Sequence, residues 1–71
     1  MAKFIKVKKY SCYQGEDIFL PVWLNVDKIV CFYEGTSVNG HDLVIIEYGE
    51  DDIISVTESI QEILTLIEQA R

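Results

Sequence analysis

The side chains able to do chemistry are few and scattered. His41 follows Asn39-Gly40, a pair that favours a tight turn. No acid or nucleophile stands at a motif spacing from it, so it reads as an exposed loop histidine rather than a general base. Cys31 sits inside the apolar run Ile29-Val30-Cys31-Phe32-Tyr33 and reads as a small hydrophobe. Cys12, beside a turn and near Lys9, is the better candidate for a reactive thiol. Glu50-Asp51-Asp52 is the densest acidic run. A calcium loop needs spaced carboxylates and a distal glutamate, so three adjacent acids read first as a solvated turn and second as a contact for a basic partner. A zinc site needs three or four ligands in register, and His41 is the only imidazole available beside the two cysteines. No phosphate-binding glycine loop, nucleophile elbow or paired-carboxylate arrangement is recognisable. The expectation is a protein that is not an enzyme, with no catalytic residues, no cofactor and no metal.

Charge gives a second set of candidates. The net charge is -6, yet Lys3, Lys6, Lys8 and Lys9 all fall in the first ten residues, leaving twelve acids against Lys28 and Arg71 in the rest. An acidic body repels phosphate backbones at long range, which argues against nucleic acid as a partner. The lysines read as protection of a strand edge. If a small-molecule ligand such as a nucleotide binds, Lys6 and Lys8 with Tyr10 and Tyr13 are its candidate contacts.

The elements that would position these residues follow from period and turn signals. Phe4 to Tyr10 alternates apolar residues with lysine and reads as an edge strand. Gln14-Gly15-Glu16-Asp17 closes a hairpin onto Ile18-Phe19-Leu20, and Pro21 marks that strand's unpaired side, a bulge or its end. Asn25-Val26-Asp27 suits a bend. Strands over Lys28 to Glu34, Asp42 to Tyr48 and Ile53 to Val56 form a meander, punctuated by Asn39-Gly40 and Gly49. A helix spans Thr57 to Gln69, capped by Thr57 or Ser59, with Ile60, Ile63, Leu64 and Ile67 on one stripe.

These elements make one α+β domain over residues 1–71: a curved antiparallel meander of four to five strands with one C-terminal helix packed on one face. At 71 residues a single core barely exceeds the entropy of ordering the chain, and oligomerisation is the expected stabiliser. Ile29 to Tyr33 and Leu43 to Ile46 are apolar at consecutive positions, so both faces of the sheet call for cover, and one helix covers one. The uncovered face is expected to bind a second copy or another protein. Val30, Phe32, Val44 and Ile46 are the expected contact, on the assumption that Cys31 and Ile45 face the helix; a one-residue register shift exchanges the two sets. No apolar run reaches the length of a membrane span, the lysine-broken start is no signal-peptide core, and the two cysteines read as free thiols. A cytoplasmic protein is expected.

Leu24-Asn25-Val26-Asp27-Lys28-Ile29, the acidic end at Glu34, the strand Leu43 to Tyr48, the turn at Gly49 and Val56-Thr57-Glu58-Ser59-Ile60-Gln61-Glu62-Ile63 together resemble the small FlbD-type flagellar and swarming-motility proteins, over roughly residues 18 to 69. The resemblance implies a non-enzymatic accessory or regulatory factor. A looser likeness to the sheet of LytTR-type domains rests on the strand-to-helix step alone, because the chain carries none of their basic recognition loops. A small acidic inhibitor or ligand sponge of the kind phages encode is the alternative function.

Overall fold

The computed structural model describes residues 3–70. Its elements are β1 (Phe4–Tyr13), β2 (Glu16–Asn25), a 3-10 turn (Val26–Lys28), β3 (Ile29–Thr36), β4 (Asp42–Tyr48), β5 (Asp52–Val56) and α1 (Ile60–Ala70). All neighbouring strands are antiparallel, in the order β2-β1-β5-β4-β3. The chain is an α+β domain with a five-stranded sheet. β3, β4 and β5 are adjacent in chain order, but β1 attaches to β5, so the whole sheet is not a simple meander. β1 is therefore not an edge strand. Its alternation arises because Ile5 and Val7 face the core while Lys6 and Lys8 face outward.

The β1–β2 hairpin closes through Gln14 (φ 52) and Gly15 (φ 81), both left-handed, as a two-residue turn matched to strand twist requires. Pro21 does not interrupt β2. Thr57 N–H donates to the Lys8 carbonyl at 3.1 Å and Lys8 N–H donates to Glu58, so both Lys8 groups point away from β2. The rung Lys8 to Pro21 is thus a non-hydrogen-bonded one, and the proline nitrogen lies on the free edge, where a missing donor does no harm.

Asn25 bends the chain as expected, its side chain accepting the Asp27 N–H at 3.0 Å. Of the two candidate caps, Ser59 is used: its hydroxyl oxygen accepts the Glu62 N–H at 3.1 Å. α1 buries Ile63 completely against Ile5, Val7, Leu24, Val44, Ile46 and Val56.

Candidate functional site

The pairing of β1 with β2 sets Lys6 opposite Trp23, Lys8 opposite Pro21 and Tyr10 opposite Phe19. Strand alternation puts all six on the outer face of the hairpin, away from Ile5 and Val7. Lys6 Nζ lies 5.2 Å from the centre of the Trp23 ring, a cation–π contact. The Tyr10 and Phe19 rings are 5.7 Å apart and tilted by 55°. Three of the four expected ligand contacts, Lys6, Lys8 and Tyr10, are thus brought together. Tyr13 is not: it falls on the opposite parity, exposed at the hairpin tip.

This face is unusually apolar for a surface. Phe4 is 53% exposed, Phe19 48% and Trp23 60%, and Leu20 on the reverse of β2 is 53% exposed. A groove runs beside it, lined by Lys6, Lys8, Phe19 and Pro21 on one wall and Thr57 and Glu58 on the other. The Glu58 carboxylate is already engaged, taking the Lys8 N–H at 3.0 and 3.1 Å.

At the hairpin tip, Asp17 collects three donors. The Tyr10 hydroxyl and the Asn39 amide donate to Oδ1 at 2.6 and 2.7 Å, and His41 Nε2 lies 2.7 Å from Oδ2. The cluster straps the tip to the β3–β4 loop, which Ser37 shapes by accepting the His41 N–H at 2.9 Å. The Tyr10 hydroxyl first, then the Asn39 amide, hold the Asp17 carboxyl below its ordinary range. Hydrogen bonding to that carboxylate, with partial burial, pushes the Tyr10 phenol up. His41 therefore has an acidic partner that its sequence neighbours did not reveal, because Asp17 comes from another hairpin. The pair, with Tyr10 and Asn39, ties two hairpins together.

The expected partner face is corrected. Val44 and Ile46 are buried beneath α1, at 4% and 0% exposure, and Phe32 packs against the same core. Val30 alone of the four is exposed, at 66%. The helix covers the face that Phe32, Val44 and Ile46 share, the reverse of the assumed assignment, and a register irregularity between Ile29 and Cys31 sets Val30 out of the ladder and away from that face. Cys31 and Ile45, expected toward the helix, lie instead on the outer face, with Tyr33 and Ile53. Glu50, Asp51 and Asp52 are exposed in and beside the β4–β5 turn, next to Ile53, whose exposure is 66%.

Among the described residues no three His, Cys, Asp or Glu side chains come together as a metal site, and no helix is long and apolar enough to cross a membrane. Both cysteines are free and exposed. Sequence reasoning missed Phe19 and Phe4 as surface aromatics; the signal was present in the Gln14-Gly15 turn, which fixes the hairpin register. No family model, curated protein or solved structure matches the chain.

Proposed function

We propose that this chain is a non-enzymatic, homo-oligomerising protein-interaction module of accessory or regulatory type, acting in the cytoplasm. The observation that carries the reading is the concentration of exposed apolar side chains on one hairpin, Phe4, Phe19, Leu20 and Trp23. A patch of large aromatics on so small a domain calls for a partner surface. The FlbD-type likeness over residues 18 to 69 supports an accessory role. The sheet in this reading is strongly curved: β2 and β3 are its opposite edges, roughly 19 Å apart if four strand spacings lay flat, yet only Val26–Lys28 joins them. The Asn25 N–H, leaving β2, also reaches the Tyr48 hydroxyl at 2.9 Å.

The alternative is the phage-type inhibitor or ligand sponge. It draws on the shared face of Lys6, Lys8, Tyr10, Phe19 and Trp23, since an aromatic beside lysines suits a base with its phosphate. Native mass spectrometry of the gently purified protein separates the two readings. A multiple of the chain mass with nothing added is expected of the module. Additional small-molecule mass lost in a Lys6→Ser/Trp23→Ser variant would favour the sponge, and a bare monomer at micromolar concentration would overturn self-association.

A further inference from the structure

The sheet has two outer edges, β2 and β3, and they differ in what their backbones present. On β2, Pro21 removes a donor from the middle of the edge, and the Tyr48 hydroxyl already accepts the Asn25 N–H. β3 has no such interruption. The Ser37 N–H donates to the His41 carbonyl at 2.9 Å, and from that pair hydrogen-bonded and non-hydrogen-bonded rungs alternate along the antiparallel ladder. Gly35–Leu43, Tyr33–Ile45 and Cys31–Glu47 are therefore the hydrogen-bonded rungs. Phe32, Glu34 and Thr36 turn their N–H and C=O groups away from β4, and among the described residues no other backbone takes them up. Cys31 to Thr36 holds neither proline nor lysine, the residues that usually blunt an edge, so this row of free donors and acceptors is a template for another strand. Tyr33, at its middle, is 44% exposed.

The register shows which strand fits. Free groups bond only to free groups, so an antiparallel second β3 can set Phe32 against the second copy's Phe32, Glu34 or Thr36. The first leaves a single regular rung, because Val30 stands out of the ladder. The third puts the two Glu34 carboxylates directly opposite one another, and like charges so placed repel. The second gives two equivalent rungs, Phe32 with Glu34 and Glu34 with Phe32, and brings Tyr33 against its own copy on the outer face. In that register β3 is its own complement.

Resting on the self-association proposed above, we infer that two copies of this chain pair β3 to β3, antiparallel about a two-fold axis at Tyr33. The contact is isologous and closes at two copies.

The test uses the full chain. Light scattering coupled to size exclusion should give twice the chain mass. Glu34→Pro removes a free donor without touching a bond to β4, as Pro21 does on β2, and should give a monomer with the wild-type circular dichroism. Tyr33→Asp, which sets two carboxylates at the axis, is the second disrupting variant and serves if the proline unfolds the chain. Glu34→Gln should instead tighten the dimer several-fold, because it removes the charge that both copies bring to one face. For the register, Tyr33→Cys in a Cys12→Ser/Cys31→Ser background should oxidise to a covalent dimer, since Cα atoms of a non-hydrogen-bonded pair lie about 4.5 Å apart, within disulfide reach. Val38→Cys in the same background, in the exposed β3–β4 loop, should link far more slowly. If Glu34→Pro and Tyr33→Asp both keep the wild-type mass, association uses another surface; self-association stands and the β3 inference falls. A dimer that Tyr33→Cys does not link overturns the register. A monomeric wild type at micromolar concentration overturns the self-association reading, and this inference with it.

Discussion

The Glu58 carboxylate accepts the Lys8 N–H on both oxygens, at 3.0 and 3.1 Å, so a residue from the approach to α1 completes the ladder of β1 where β5 ends. Thr57 N–H on the Lys8 carbonyl makes the neighbouring bond. Replacing Glu58 with Ala leaves the Lys8 donor to water and loosens the junction between helix and sheet. A loss of about 1 kcal/mol is expected, read as a fall in Tm of roughly 4–8 °C for a domain of this size. Glu58→Gln keeps one acceptor and should lose less. Equal Tm for wild type and the Ala variant would show that the contact contributes nothing.

Acid should release the strap at the hairpin tip. The Tyr10 hydroxyl, the Asn39 amide and His41 hold the Asp17 carboxyl below its unfolded value. A depressed folded value means that the stabilisation is complete above the unfolded carboxylate range, about pH 4, and is lost as pH falls through the folded one. Urea midpoints at several acidic pH values should drop more steeply for the wild type than for Asp17→Asn. Parallel acid limbs in the two proteins would rule out this linkage.

The helix-covered face makes Phe32 and Ile46 core positions. Ile46→Ala and Ile63→Ala, each at a fully buried site, should cost about 2–5 kcal/mol, enough to unfold much of a small domain. Val30→Asp, at an exposed site set out of the ladder, should leave the denaturation midpoint nearly unchanged. A Phe32→Asp chain that stays folded would contradict the burial pattern.

Much of this arrangement was legible in the sequence, and the exceptions have physical causes. Asp42 to Tyr48, the Asn25 bend and the Ser59 cap rest on local chemistry, so they could be read directly. The face assignment failed because β3 and β4 carry apolar residues on both faces, so alternation does not say which face the helix covers; Val30, set out of the ladder, departs separately. For Pro21 the sequence left the strand's unpaired side, a bulge or its end open, and the first holds, because both Lys8 backbone groups point away from β2. The strap of Tyr10, Asp17, Asn39 and His41 joins two hairpins distant in sequence, and no local spacing encodes it.

Gly35 is a packing glycine. A Cβ built there would meet Ile45 Cγ1 at 2.7 Å and Cδ1 at 3.0 Å, so this diagonal neighbour, whose own rung partner is Tyr33, must move. Gly35→Ala should destabilise by about 1–3 kcal/mol, and pairing it with Ile45→Val should recover part of that loss. Additive losses in a double-mutant cycle would place the strain elsewhere.

The two thiols should react at different rates. Partial desolvation and the nearby Glu47 carboxylate push the Cys31 thiol up, which lowers its thiolate fraction. With a small disulfide reagent on the native protein, Cys12 should be modified first, as mass mapping would show. Faster labelling of Cys31 would count against this account.

The sheet is joined unevenly. β1 and β2 share ten rungs from Phe4–Asn25 to Tyr13–Glu16, while β1 and β5 share one, Lys9 to Val56. Each half is built from near neighbours in the chain and can zip early, whereas the seam waits on a long loop closure. Late docking of the two halves is the expected order, to be read as weaker amide-exchange protection at the seam than within either half.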